Sequence, residues 1–117
     1  MTDRYIYHVC KDAEWCRAQE EGEYIGSSQD ISDGFIHFSS RSQVHKSVAK
    51  HRAGQGGLVI LEVDTGLIEK GLVWEPSRGG QLFPHLYENL SVSIVTRTAA
   101  LNLNENGNHD FPDWLAE

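Results

Sequence analysis

The first alternating run of the chain, Arg4–Cys10 (RYIYHVC), puts Ile6, His8 and Cys10 on one face and Tyr5, Tyr7 and Val9 on the other. That period predicts an opening β-strand. The next run, DAEWCRAQEEG, loses the alternation and gains helix punctuation. Asp12 is a suitable N-cap, Glu14 lies in the first turn where the helix dipole favours negative charge, and Gly22 supplies the stop. Glu23–Asp33 shows neither period and reads as a loop or irregular segment, with Ser27 and Ser28 as loop and capping residues. Alternation returns over Gly34–Phe38, a second strand. Ser40 with Gln43 three residues later forms a capping box, so RSQVHKSVAKHR predicts a helix with a sparse apolar stripe of Val44 and Val48, closed by AGQGG.

Leu58–Asp64 (LVILEVD) is apolar at odd and even positions alike, which predicts a strand covered on both faces and therefore central. TGLIEKG reads as a turn, LVWEP as a short strand and PSRGGQ as a mobile loop. SVSIVTRTA is the last strand. Beyond it the sequence is polar until Phe111 and Trp114, which are expected to fold back onto the body. The order β-α-β-α-β-β-β, with few helices and no repeat, predicts an α+β fold rather than a doubly wound sheet. At 117 residues one domain is expected, with a core over about residues 1–100 and a polar tail over 101–117.

Composition changes this picture mainly by exclusion. The formal charge is −7, with 17 acidic against 10 basic residues, which opposes the basic footprint of a protein gripping phosphate backbones. Nucleic acid is therefore not an expected partner. Cys10 and Cys16 form neither a C-x-x-C pair nor a disulfide framework, and the first residues read as neither a secretory signal nor a membrane span. A cytoplasmic location with a small-molecule ligand is the expectation; the number of subunits is left open.

The six histidines raise the possibility of metal first. His45 and His51 lie six residues apart on the predicted helix, about 240° around its axis, and so do not face one ion. H-x-H and H-x-x-x-H pairs are absent, and no metal is expected. His8, His37 and His85 differ because each sits in an apolar, strand-like stretch. Alternation places Phe35, His37 and Ser39 on one face, and Phe83, His85 and Tyr87 on another, the extended geometry before Pro84 supporting the second set. Any one of these histidines is accounted for by a backbone carbonyl in a core. Three, each beside a hydroxyl or an aromatic ring, point also to a shared ligand site. Glu75, between Trp74 and Pro76, reads as a general base, a sugar-hydroxyl acceptor or a solvated strand end; Glu62 and Asp64 read as solvated strand ends.

The motifs GFIHFSS with its following helix, LVILEVD, WEP and FPHLYENL together resemble the small bacterial proteins of domain-of-unknown-function family 952, from YIYHV to SVSIV. The pattern is also similar to the core of ADP-ribosyltransferases. That second resemblance implies a small, strongly bent mixed or antiparallel sheet with two or three short helices. It further implies a cleft for NAD or a related nucleotide, with ADP-ribosyl transfer or NAD-glycohydrolase chemistry. On it, His8 would hold ribose hydroxyls, His37 with Ser39 would bind the ribose or the carboxamide, and Phe35 or Tyr87 would stack on the nicotinamide. His85 would stand where the family carries its catalytic polar residue, often Glu, leaving His37, His85 and Glu75 as the catalytic candidates. A cleft that kept the ligand but lost the chemistry, or a structural protein with core histidines, remain the alternatives.

Overall fold

The structure, a computed structural model, describes residues 4–77 and 80–116; Arg78 and Gly79 of the predicted PSRGGQ loop lie outside the described residues. Strand β1 (Tyr5–Lys11) leads into helix α1 (Asp12–Glu21). The N-cap is Lys11 rather than Asp12, because Glu14 accepts the Lys11 backbone N–H at 2.8 Å while the Asp12 N–H is bound to the Gly57 carbonyl. Gly22 ends the helix in the left-handed region (φ 81°), its N–H returning to the Ala18 carbonyl.

The segment Glu23–Asp33, expected as a loop, holds strand β2 (Glu23–Tyr24) and helix α2 (Ser28–Asp33). A reciprocal box makes the helix: Ser27 accepts the Asp30 N–H at 3.3 Å, and Asp30 accepts the Ser27 N–H at 2.7 Å. Six residues are too few to show an apolar stripe, which is why periodicity passes over it.

Strands β3 (Ile36–His37) and β4 (Ser39–Ser40) precede helix α3 (Arg41–His51), where Gln43 accepts the Ser40 N–H at 3.0 Å as the box predicts. There follow β5 (Leu58–Asp64), β6 (Leu72–Pro76), β7 (Leu82–Leu86), β8 (Leu90–Ser91), β9 (Val95–Leu103) and β10 (His109–Asp110).

All pairings among the described residues are antiparallel. Five strands form one sheet in the order β10-β9-β5-β1-β4, three form a second in the order β3-β7-β6, and β2 pairs with β8. The result is an α+β fold with a curled antiparallel sheet and few helices. β5 is central, as its two apolar faces require. On one side Val59, Leu61 and Val63 join Ile6, Trp15, Phe38 and Leu86 in a core. On the other, Leu58 and Ile60 join Tyr7, Val44, Val48 and Leu115. The tail closes this second core: Trp114 stacks on Tyr7 with centroids 6.3 Å apart, and Arg41 donates to the carbonyl of Trp114 at 2.6 Å.

Glu62 is not a solvated strand end. It is 2 % exposed and accepts from Thr96 Oγ1 at 2.7 Å, Tyr7 OH at 3.1 Å and Arg97 Nε at 3.2 Å. Strand β9 runs alongside it, with a register shift between Glu62 and Val63, and covers what the isolated sequence leaves open. Asp64 is the more open of the two, capping a turn at Gly66 and pairing with Arg4 at 3.5 Å.

The two larger sheets meet at one point that matters for the site. Between His37 and Ser39 the chain leaves the three-stranded sheet and enters the five-stranded one, and Phe38 anchors the crossing by donating its N–H to the Pro84 carbonyl at 3.0 Å.

Candidate functional site

His37 on β3 is the register partner of His85 on β7. Directly opposed residues of an antiparallel pair share a face, so the imidazoles meet, centroids 5.6 Å apart and edge to face. Phe35 packs against both, 4.1 Å from His85 in a stacked arrangement and 4.5 Å from His37, and lies 5.2 Å from Tyr87. On β6, Glu75 pairs with Phe83 and so reaches diagonally to its neighbours on β7. Its Oε1 accepts from His85 Nδ1 at 2.8 Å and from Tyr87 OH at 2.6 Å. Those two hydrogen bonds, Tyr87 first, lower the Glu75 pKa, and the same bond raises that of Tyr87. Against an ionised Glu75, Nδ1 of His85 is the nitrogen that donates. Among the described residues the Nε2 of His85 has no hydrogen-bond partner.

His37 is held from the other side. Asp30, 3 % exposed, accepts from His37 Nδ1 at 2.6 Å and from the His37 backbone N–H at 3.1 Å. Burial by itself raises a carboxyl pKa, but the His37 bonds and the Ser27 N–H outweigh it and hold Asp30 at about 2. The second ring nitrogen, Nε2, lies 2.9 Å from Asp33, a half-open carboxylate at the end of α2. Both contacts are hydrogen bonds only when the ring carries both protons.

His8 sits on the first strand with both ring nitrogens engaged. It is 4 % exposed, with Nδ1 2.5 Å from the His37 carbonyl and Nε2 2.6 Å from Tyr24 OH. The carbonyl can only accept, so Nδ1 donates and Nε2 accepts from the tyrosine. Burial lowers the His8 pKa despite nearby Asp30, which keeps the ring neutral. The ring thus lines the site with no free nitrogen and braces the backbone of His37.

His8, His37, Ser39 and His85 line one cleft of about 1350 Å³. Phe35, Glu75 and Tyr87 are not part of its lining; Phe35 packs on both histidines, Glu75 holds His85, and Tyr87 contacts Phe35 and Glu75. Asp30 and Asp33, which line it, went unnoticed in the sequence, although the Ser27–Asp30 spacing of a capping box was there to read. Gly26 is built around Asp30: its φ is +102°, and a Cβ there would lie 2.7 Å from the Asp30 Cβ. Gly26→Ala is expected to cost about 1–3 kcal/mol and to shift the His37 ring signals. A urea melt with histidine NMR checks this; unchanged stability and unchanged His37 signals would refute the tight approach.

The family model described as "Protein of unknown function (DUF952)" matches residues 9–98. The chain belongs to this family. Among solved structures, the crystal structure of protein CC0527 from Caulobacter crescentus is 44% identical, covers 95% of this chain and 97% of its own, and superposes with a TM-score of 0.89. The solution NMR structure of CC0527 is 45% identical over 89% of this chain and 90% of its own, with a TM-score of 0.80. No curated protein matches the chain. The span matched by DUF952 includes Asp30, His37, Glu75 and His85 and begins one residue after His8. Among the described residues, no helix of this DUF952 protein is long and apolar enough to cross a membrane.

Proposed function

We propose that the cleft binds NAD or a related nucleotide or sugar nucleotide, with His85 as the base for an attacking water at its glycosidic bond and His37 holding the ribose beside it. One observation carries the reading: two histidines from adjacent strands meet in one cleft, each with Nδ1 fixed on a carboxylate. A carboxylate at Nδ1 sets the tautomer and orientation of a ring; it leaves Nε2 of His85 open, while Nε2 of His37 faces Asp33. The bent antiparallel sheet, the His on the first strand and the IHFS segment support the likeness to ADP-ribosyltransferases.

In this account a ribose hydroxyl enters between His37 Nε2 and Asp33, accepting from the imidazole and donating to the carboxylate. The C1′–N bond to nicotinamide breaks with its electron pair going to nicotinamide, and the sugar develops positive charge, which Asp33 stabilises. Water attacks C1′ through oxygen and its proton passes to the free Nε2 of His85. The products are ADP-ribose, nicotinamide and one proton. Asp30, Glu75 and His8 position the histidines, and Phe35 packs on both. A second reading, a ligand-binding module without turnover, is favoured by one feature: β7 offers His85 rather than a carboxylate where the ADP-ribosyltransferase pattern carries its catalytic residue.

Incubation with NAD followed by chromatography for nicotinamide tests the proposal. Release by the wild-type protein is expected. Saturable NAD binding without release would leave only the binding module, and neither binding nor release would overturn both.

A further inference from the structure

Helix α3 packs Val44 and Val48 against the core and forms one wall of the cleft, in which its polar side chains stand beside those valines. Two rows with i,i+4 spacing make that wall, Ser42–Lys46–Lys50 and Gln43–Ser47–His51. In a chain of net charge −7, this helix contains no acidic residue. Arg4, Arg17 and Arg97 each pair with a carboxylate, but among the described residues Lys46 and Lys50 have no ion-pair partner. Like charges at i,i+4 repel, so the wall carries a cost in the free protein that a bound anion would relieve. The helix dipole favours a cation in the last turn, which accounts for Lys50 but not for Lys46 one turn earlier.

Apart from Lys11, the other charged groups along the cleft are already engaged. Arg52 donates to the Val9 carbonyl at 3.0 Å and to Gln55 at 3.3 Å. Asp30 and Asp33 hold His37, and Glu14 accepts the Lys11 N–H. What remains on the wall is a surface of hydrogen-bond donors, ammonium and hydroxyl. A phosphate group presents several acceptor oxygens and negative charge, the complement of that surface.

We infer that the α3 wall is a phosphate subsite, in which Lys46 and Lys50 hold the diphosphate of a nucleotide whose sugar lies at the His37–His85 end of the same cleft. From Ser42 to Lys50 the helix rises about 12 Å, room for two adjacent phosphates. The placement of the sugar rests on the function proposed above; the anion subsite does not.

The test uses inorganic pyrophosphate and NAD in separate calorimetric titrations, with amide NMR shifts recorded, on the wild-type protein, Lys46→Gln/Lys50→Gln and the control Lys70→Gln. These side chains are solvent-exposed, so the variants should fold, and circular dichroism confirms it. Saturable pyrophosphate binding is expected, with shifts concentrated on residues 42–51. It should weaken roughly tenfold or more in the double variant, as lost charge-assisted hydrogen bonds require, and be unchanged in Lys70→Gln. Equal pyrophosphate affinity in wild type and double variant, or shifts spread evenly over the surface, overturns the subsite. Pyrophosphate bound at α3 with no NAD binding keeps the subsite and removes the nucleotide reading. NAD bound equally by wild type and double variant does the reverse.

Discussion

Asp30→Ala should lower folding stability by about 3 kcal/mol, the largest loss expected of any polar substitution in this protein. One buried carboxylate here satisfies the Ser27 N–H, the His37 N–H and the His37 ring, and lies 3.5 Å from His8. Truncation orphans all of these at once. The loss should also depend on pH. Asp30 has a folded pKa of about 2 against an ordinary value of 3.8, so its ionisation stabilises the fold above the ordinary value and that contribution disappears as pH falls through the folded one. His8 acts in a higher window. Burial depresses its pKa, so below the ordinary value of 6.5 the unfolded chain takes up a proton that the folded protein resists, and stability declines. Wild-type stability should therefore fall first below pH 6.5 and again between about 3.8 and 2, and Asp30→Ala should lack the second stage. Urea unfolding across that pH range measures both. A variant within 1 kcal/mol of wild type at neutral pH (against the ~3 expected) would mean that the Asp30 network contributes little.

The second large effect concerns turnover. If nicotinamide is released, His85→Ala should slow release by about 10²–10⁴-fold, the range for removal of a positioned base, and His37→Ala, which loses the ribose contact, should slow it as well. The double variant should be little slower than the worse single one, because groups acting as a unit lose their joint contribution once. Glu75→Gln should act more mildly and through His85: the amide still accepts from Nδ1 but removes the charge that fixes the ring. Single-turnover release rates for the four proteins decide this. Multiplicative losses would show that the two histidines work independently, and full activity in His85→Ala would remove it from the chemistry.

Much of this arrangement was legible in the sequence, and the exceptions share a cause. The unbroken apolar run of Leu58–Asp64 marked the central strand because burial on both faces leaves no polar position to alternate. The Ser40–Gln43 spacing marked the start of α3 because a cap is a local interaction. Helix α2 and Asp30 were missed because a six-residue helix has no stripe, and a buried acid looks like any surface acid until its partners are in place. Glu62 was misread for the same reason: its burial depends on β9, more than thirty residues away along the chain. Alternation puts Phe35, His37 and Ser39 on one face of an extended segment. The chain in fact changes sheets at Phe38, yet His37 and Ser39 still line a common cleft, since the crossing bends the backbone without turning either side chain away. His8 was found by its apolar surroundings, but only the position of the His37 carbonyl reveals that it braces the site.

The most direct test follows the imidazole resonances of His37 and His85 by NMR as NAD is added to the wild-type protein. Both rings should shift together along one saturating curve, while the sealed His8 ring moves far less. Rings of His37 and His85 that stay fixed through millimolar NAD, or that follow two unrelated curves, would contradict a nucleotide site built on the pair.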